Sequence, residues 1–165
     1  MSFERALNSA LAYTLTTNFI PLSCIDEKEF LLFRNSSNTR SQIRLFTMKF
    51  GINSVSANGI LKVYTDPQVA HPGIPIDTDN LHLKSDRKPA SVNAFLKPYI
   101  LERGNILNVF VIPPDLPTMF FNLNYILDPG KMALFTIQSN VAQIMAHIDL
   151  EWGESRAFTG FRRTF

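Results

Sequence analysis

The chain has 165 residues, a length typical of one domain that buries a core without metal ions or disulfides. It is 45% hydrophobic and only 18% charged, and its fourteen Phe against one Trp and four Tyr indicate more apolar surface than one small core needs. The net charge of +2 argues against electrostatic binding of nucleic acid or membrane as the main function. One Cys and three scattered His exclude an internal disulfide and give no metal-ligand spacing, so we expect no cofactor.

Residues 1–27 differ in pattern from the rest of the chain. Apolar residues recur at helical spacing between Ala6 and Leu11, and the polar, β-branched run from Thr14 to Thr17 ends this pattern. The segment therefore predicts a short N-terminal helix or an extended arm. It lacks the long continuous apolar run of a signal peptide or a membrane span, so we expect a protein that is made in the cytoplasm and is not secreted.

From residue 28 onward the hydrophobic period is two, which is typical of β-strands. The clearest alternation lies at residues 143–152, where Ile144, Ile148 and Trp152 belong to the apolar side and polar residues lie between them. Similar runs, rich in Phe, Ile, Val, Leu and Thr, lie at residues 30–35, 42–52, 59–65, 105–113, 118–127 and 132–138, with weaker candidates at 81–85 and 91–99.

Short turn sequences separate these runs, among them Asn58-Gly59, Arg103-Gly104-Asn105 and Asp128-Pro129-Gly130. Short links imply antiparallel pairing, and no helical segments lie between the strands. We therefore predict an all-β fold, an antiparallel two-sheet sandwich that is jelly-roll-like, over residues 28–154. The proline-rich stretch at residues 65–80 predicts an irregular surface loop across one end of the sandwich.

The predicted core is made of apolar residues within the clearest strands. Because side chains alternate along a strand, an error of one residue in register would exchange the buried and the exposed faces. The same alternation assigns His147 and Asp149 to the polar side of the last strand. The predicted core residues are Phe46, Val63, Phe110, Ile144, Ile148, Leu150 and Trp152.

The sequence contains no arrangement typical of an active site. It has no Gly-x-Ser-x-Gly elbow, no Gly-rich phosphate loop and no His-Glu-x-x-His motif. We interpret the acidic run of Asp26, Glu27 and Glu29 as a solvated turn that protects a strand edge, rather than as a catalytic carboxylate pair. His147 is a general base only if a nucleophile faces it, and we interpret it as a surface residue linked to Asp149 or at a subunit contact.

Three further candidates have plain interpretations. Asp77 and Asp79 supply loop oxygens of the kind that bind calcium, but the Gly and the bidentate Glu of a calcium loop are missing, so we interpret them as a polar loop. Cys24 is interpreted as a small buried hydrophobe, and the sequon at residues 35–37 as a turn. We therefore expect no catalytic residues and no metal, and we predict that the protein is not an enzyme.

The C-terminus departs most from a plain domain. After Glu154 the chain reads SRAFTGFRRTF, in which three Phe are interleaved with three Arg and no acidic residue occurs. We predict that residues 155–165 form an extended C-terminal tail that docks on a neighbouring chain. Single-stranded nucleic-acid platforms share this composition, but three Arg are few for a polyanion, which favours a protein partner. The predicted interface residues are Arg156, Phe158, Phe161, Arg162, Arg163 and Phe165.

The strands and turns resemble those of a group of small tailed-bacteriophage virion proteins with a β-sandwich or jelly-roll fold. The resemblance covers residues 28–154, outside the N-terminal arm and the tail. The segments that carry it are Phe30 to Ser37 with Ile43 to Phe46, Lys62 to Pro67, the Leu127-Asp128-Pro129-Gly130 turn, and Ile148 to Glu154. It implies a capsid decoration, head-fibre or tail accessory role, and the family offers no catalytic residues.

The resemblance also implies partners and a location. We expect the chain to form a homo-oligomer, specifically a homotrimer, that contacts other virion proteins such as a major capsid protein. The protein is then part of the virion, made in the host cytoplasm, without direct contact to nucleic acid or membrane.

Two other function classes stay open. The main alternative is a receptor- or glycan-binding β-sandwich domain of a tail or fibre. Residues 66–80, the longest predicted loop, contain no Trp, Tyr or Phe, which disfavours glycan binding there. A hydrolase on the same fold lacks a credible acid/base pair.

Deletion of residues 155–165 tests the predicted tail. Phe161 and Phe165 are each expected to contribute about 1.5 to 3 kcal/mol by burial on the neighbouring chain. The truncated protein should therefore keep its far-UV circular dichroism and melting temperature but lose incorporation into virus particles. Unfolding of the truncated protein would show that the tail packs on its own domain, and normal incorporation would show that attachment lies elsewhere, with the N-terminal arm as the next candidate.

Overall fold

The computed structural model describes residues 2, 11–53, 57–81, 90–114 and 118–156, and no helix occurs in these parts of the chain. All strand pairs are antiparallel. The prediction of an all-β, antiparallel fold is thereby confirmed. The strands are β1 (Ala12–Thr16), β2 (Ile20–Ser23), β3 (Lys28–Asn35), β4 (Ser41–Ile52), β5 (Gly59–Thr65), β6 (Gln68–His71), β7 (Ile74–Ile76), β8 (Asp79–Asn80), β9 (Val92–Leu96), β10 (Tyr99–Glu102), β11 (Asn105–Ile112), β12 (Met119–Leu127), β13 (Met132–Ser139) and β14 (Gln143–Arg156).

The strands form two six-stranded sheets and one two-stranded ribbon. The first sheet has the order β12-β4-β14-β1-β8, and β2 also pairs with β14. The second sheet has the order β11-β5-β13-β3-β9-β7. The ribbon consists of β6 and β10. None of the paired strands is consecutive in sequence, and the chain crosses repeatedly between the two sheets.

The alternation of β14 shows how the sequence determines the inner face of the first sheet. Ile144, Ala146, Ile148, Leu150 and Trp152 follow one another at every second position, and all five side chains are buried. Because side chains at alternate positions of a strand point to the same face, this face belongs to the core. β14 pairs with β1, β2 and β4, so its register orients all three neighbours.

The inner faces of the two sheets share one hydrophobic core. Phe33 of β3 meets Trp152 of β14 edge to face, with ring centroids 5.0 Å apart. Phe30 and Phe50 make a second edge-to-face contact between β3 and β4, at 6.1 Å. Tyr13 of β1 stacks on Trp152 at 5.8 Å. These aromatic pairs add to the burial energy and fix the relative position of the sheets.

Five of the seven predicted core residues belong to this core, namely Val63, Ile144, Ile148, Leu150 and Trp152. Phe110 is half-buried beside the core and contacts Phe121 at the side of the molecule.

The prediction that Phe46 belongs to the shared core was wrong. Phe46 is buried in a separate small cluster with Ala12, outside the shared core. The reason is a register shift, since Leu45 pairs with Trp152 while Thr47 pairs with Glu151. Phe46 is the extra residue of this β-bulge, which breaks the simple alternation on which the prediction relied.

The segment predicted as an N-terminal arm or short helix is extended where the structure describes it. β1 and β2 lie within residues 1–27 and both pair with β14. Tyr13 and Leu15 of β1 are buried in the core. The β-branched Thr14 and Thr16 beside them favour a strand over a helix. Residues 3–10, which hold most of the predicted helix, lie outside the described residues.

The stretch at residues 65–80 is not the irregular loop that its prolines predicted. It forms β6, which belongs to the ribbon, β7, which joins the second sheet, and β8, which joins the first. Pro75 is tolerated because β7 is an edge strand, where a missing backbone N–H breaks no ladder between central strands. The weak strand candidate at residues 81–85 lies almost wholly outside the described residues, while the one at 91–99 is divided into β9 and β10 at Lys97, whose φ is 49°.

The last strand extends past the predicted end of the sandwich. β14 continues to Arg156, with Ser155 paired to Gln42 and Arg156 paired to Ser41. The first two residues of the predicted tail therefore belong to the first sheet. A deletion that tests the tail without removing sheet pairing begins at residue 157.

The buried amide of Asn35 joins three chain segments at the end of β3. Its Nδ2 donates to the carbonyl oxygens of Ser41 at 2.8 Å and Leu127 at 3.0 Å, and its Oδ1 accepts from Thr39 Oγ1 at 2.8 Å. The side chain is fully buried. This position accounts for the turn that the sequence predicted at residues 35–37, because the amide takes the place of the missing backbone partners.

Substitution of Asn35 tests this junction. Asn35→Ala removes the Nδ2 donor to the carbonyl oxygens of Ser41 and Leu127 inside the domain, so we expect a loss of about 3 kcal/mol in the free energy of unfolding. The exposed Asn93, which donates to Ser36 Oγ at 2.7 Å, is the matched control, and Asn93→Ala should change that free energy by less than about 0.5 kcal/mol. Urea unfolding followed by circular dichroism measures both variants. Equal effects would contradict the role of Asn35.

Candidate interaction surface

Within the acidic run at residues 26–29, Asp26 is exposed in a bend, but Glu27 is nearly buried by polar partners. Lys62 Nζ lies 2.5 Å from Glu27 Oε2. Tyr64 and Thr136 donate their hydroxyls to Glu27 Oε1, each at 2.6 Å. These partners come from β5 and β13, which are neighbours in the second sheet. The earlier interpretation was therefore wrong for Glu27, since the register that assembles this cluster is not readable from local sequence.

Arg103 connects this cluster to the ribbon. Its Nε donates to Glu29 Oε1 at 3.0 Å, and one terminal nitrogen donates to the carbonyl oxygen of Glu27 at 2.9 Å. Arg103 directly follows β10, so these bonds attach the ribbon to the beginning of β3. We call the six residues Glu27, Glu29, Lys62, Tyr64, Arg103 and Thr136 the Glu27 network.

The protonation states in the Glu27 network are fixed at neutral pH. Burial raises the pKa of the Glu27 carboxyl, but the hydrogen bonds from Lys62, Thr136 and Tyr64 and the charge of Arg103 outweigh it, so the net pKa is below its ordinary value. Burial and the hydrogen bond to Glu27 raise the pKa of Tyr64 to about 12. Glu27 is thus a carboxylate and Tyr64 a neutral phenol, which suits a structural tie better than proton transfer.

The ribbon covers a second apolar cluster on the outer face of the second sheet. This cluster contains the buried Leu32, Tyr64 and Leu134, and Val69 and Ile100 of the ribbon pack against it. The middle strands of the sheet are therefore covered on both faces. Cover of this kind is the usual way to remove apolar surface from water.

Among the described residues, none covers the edge strand β11 in this way. Its eight residues, NILNVFVI, contain no charge, and it pairs on one side only, with β5. Val109 and Val111 are 46% and 67% exposed. We define the β11 surface as the exposed apolar residues Ile60, Ile106, Leu107, Val109 and Val111.

The other edges in the described parts of the sheets are shorter or interrupted. β2, which pairs with β14 alone, has four residues and includes Pro21. β7 has three residues and includes Pro75. β8 has two residues. β12 is interrupted by a register shift between Asn122 and Tyr125, where Asn124 has a φ of 54°. Natural proteins protect edges by such short strands, prolines and bulges. Among the sheet edges that the structure describes, β11 keeps the longest uninterrupted run, five residues between its own register shift and the proline that follows it.

Of the six predicted interface residues, the structure describes one, Arg156. Arg156 ends β14, and its backbone pairs with Ser41. Phe158, Phe161, Arg162, Arg163 and Phe165 lie outside the described residues.

Sequence reasoning missed the β11 surface. It predicted a strand at residues 105–113 with Phe110 in the core, and it did not predict that this strand lies at an edge. The uncharged run of eight residues was the available signal, but a buried central strand has the same composition.

The remaining candidates show no catalytic geometry. No ion pair of the described residues joins His147 to Asp149, and the His147 ring instead packs against Phe19, with centroids 4.5 Å apart. Cys24 is buried, and burial raises its thiol pKa, which disfavours a nucleophile. The described residues, among them Asp77 and Asp79, contain no group of His, Cys, Asp and Glu suited to a metal ion. They also contain no helix long and apolar enough to span a membrane.

An open cleft lies where β2 meets the beginning of β14. Ser23, Asn53 and Gln143 supply its polar lining. None of the described lining residues is aromatic. The cleft therefore lacks rings on which a sugar could stack, and it gives no particular support to the glycan-binding alternative.

No protein-family model matches the chain, and no curated protein matches it.

Removal of the Glu27 charge tests the Glu27 network. Because the folded-state pKa of Glu27 is lowered, its contribution to stability is present above the unfolded-state pKa and is lost as pH falls through the folded-state pKa. We expect Glu27→Gln to lower the free energy of unfolding by about 2 kcal/mol at pH 7, and the difference from wild type to shrink in the acid range.

Glu102→Gln is the matched control, because Glu102 is an exposed carboxylate that accepts one hydrogen bond, from Gln68 Nε2 at 2.8 Å. Its effect should stay below about 0.5 kcal/mol at all pH values. Urea unfolding at several pH values between about 3 and about 7, a range that spans carboxyl titration, measures both variants. A Glu27→Gln effect that does not vary with pH would refute the charge-based account.

Proposed function

We propose that this protein is a non-enzymatic structural subunit of a virus particle, of the capsid decoration or auxiliary kind, which assembles through the apolar β11 surface. The observation that carries the proposal is the free edge of β11, an uncharged strand with exposed Val109 and Val111. A subunit of this kind acts by burying surface against its neighbours and needs no cofactor.

The exposure of β11 supports an assembly role on physical grounds. An unpaired strand presents a row of backbone donors and acceptors, and its apolar side chains gain free energy when they leave water. Monomeric proteins usually protect such an edge, because it pairs readily with other chains. This chain protects the edges at β7, β8 and β12 by shortness, a proline or a bulge. β11 therefore fits a surface that is covered in the assembled state.

The attribution to a tailed-bacteriophage particle rests on the resemblance. Two six-stranded antiparallel sheets that share one core support the finer proposal of a jelly-roll-like sandwich. The proposed partners are further copies of the chain and other virion proteins such as a major capsid protein. The proposed location is the virion, after synthesis in the host cytoplasm, with no direct contact to nucleic acid or membrane.

The non-enzymatic part of the proposal is supported by the state of the charged cluster. Glu27 is engaged by Lys62, Tyr64 and Thr136, and its lowered pKa keeps it ionised. A general acid near neutral pH needs a raised pKa and a free face towards a substrate. The Glu27 network offers neither.

Incorporation into purified particles tests the proposal. We expect quantitative mass spectrometry to find the wild-type chain in many copies per particle. Val111→Lys should be excluded at least about tenfold, because a buried lysine on an apolar surface lacks a partner. Leu101→Lys is the matched control, because Leu101 on the ribbon is 66% exposed and lies outside the β11 surface.

Each outcome bears on the proposal. Absence of the wild-type chain from purified particles would overturn the virion role. Normal incorporation of Val111→Lys would overturn assembly through the β11 surface. Circular dichroism and urea unfolding confirm that both variants are folded, as is expected for substitutions at exposed positions.

A further inference from the structure

We propose that β11 pairs antiparallel with β11 of a second copy of this chain, across a twofold axis at Phe110, so that the second sheets of two subunits join into one. The inference rests on the proposed function and deepens it, because it names the occupant of the β11 surface and the symmetry of the contact, a twofold pair in place of the homotrimer that the resemblance implies.

The register defines a short segment of β11 that is ready to pair. Asn108 to Ile112 pair without interruption with Val63 to Gly59. A register shift at Leu107 ends the regular segment on one side. Pro113, which has no backbone N–H, ends it on the other side. The regular segment is therefore five residues long, and Phe110 is its centre.

Twofold symmetry about Phe110 matches the two faces of the strand. Residues that lie opposite each other in an antiparallel pair share one face. With the axis at Phe110, Val109 lies opposite Val111 of the second copy on the outer face. On the inner face, Asn108 lies opposite Ile112 of the second copy. The outer face thus gains two valine pairs, which are typical of stable cross-strand contacts.

The residues beside these valines extend the apolar row. In β5, Ile60 pairs with Val111 and Lys62 pairs with Val109. The row across the joined strands then runs from Ile60 through Val111 to Val109 and Lys62 of the second copy. The ammonium group of Lys62 is held by Glu27 of its own subunit, so the row ends in an aliphatic stem with an internally neutralised charge.

Electrostatics does not oppose a second copy as the occupant. β11 contains no charged residue, so two copies meet without like-charge repulsion. Its neighbour Lys62 repels little, because Glu27 compensates it. The other described strands that pair on one side only are shorter or interrupted: β2 and β7 contain a proline, β8 has two residues, and β6, β10 and β12 have register shifts. Pairing of β11 with itself therefore joins the longest uninterrupted edge segments among the described strands.

The oligomeric state of the full-length chain is the first test. We expect sedimentation equilibrium to show a dimer in wild type and in the control variant Leu101→Lys. Val111→Lys should raise the dissociation constant of the dimer at least about 100-fold, because symmetry introduces two lysines opposite valines. A wild-type monomer at all concentrations, a wild-type trimer, or an unaffected Val111→Lys dimer would each overturn the inference.

Pairwise crosslinking is the second test, and it reads the register. Cys24, the one native cysteine, is buried and leaves the surface free for engineered thiols. Opposite residues in an antiparallel pair lie within disulfide reach. Under mild oxidation, a mixture of Val109→Cys and Val111→Cys should form the mixed disulfide at least about tenfold faster than either variant alone forms its own. Equal rates in the mixture and in the separate variants would refute the twofold register at Phe110.

The two proposals fail separately. A β11 dimer that is missing from purified particles would refute the virion role and leave the twofold pairing intact. A chain that is abundant in particles but fails both solution tests would refute the pairing and leave the structural role intact.

Discussion

The packing of Trp152 against both sheets is the contact on which the rest of the structure depends. Its ring meets Phe33 of the second sheet edge to face and lies against Tyr13 of the first. Trp152 is fully buried at the end of a five-residue apolar alternation in β14. Because β14 is also the strand that pairs with β1, β2 and β4, the position of this one ring sets the register of the first sheet and its distance from the second. The buried amide of Asn35 then holds the turn after β3 in place.

The outer face of the second sheet is where fold and proposed function meet. The ribbon of β6 and β10 covers Leu32, Tyr64 and Leu134, and Arg103 ties it to Glu27 and Glu29. This cover ends before β11, although β11 is as apolar as the strands beneath the ribbon. The β11 surface is thus the part of an apolar sheet that the described residues leave uncovered. The Glu27 network borders it and removes the free charge that would otherwise oppose a contact there.

Local pattern predicted the elements better than their positions in the sheets. The alternation of β14 predicted Ile144, Ile148, Leu150 and Trp152 as core residues, because burial on one face leaves period two in the sequence. Phe46 was assigned to the wrong cluster because a bulge adds one residue to β4, and a bulge leaves no mark in hydrophobicity. Glu27 was taken for a solvated residue because its partners lie 35 to 109 positions away. The edge position of β11 likewise depends on the order of strands, which local sequence does not encode.

The arrangement of edges in the second sheet also limits how far self-pairing can proceed. A sheet with two free edges pairs with further copies at both ends and grows into a fibre. Here the edge opposite to β11 is β7, a three-residue strand that contains Pro75 and offers little backbone for pairing. A second copy that covers β11 by twofold pairing therefore leaves no equivalent edge in the joined sheet. In the proposed pair, one open edge and one blocked edge close the joined second sheet instead of extending it into a filament.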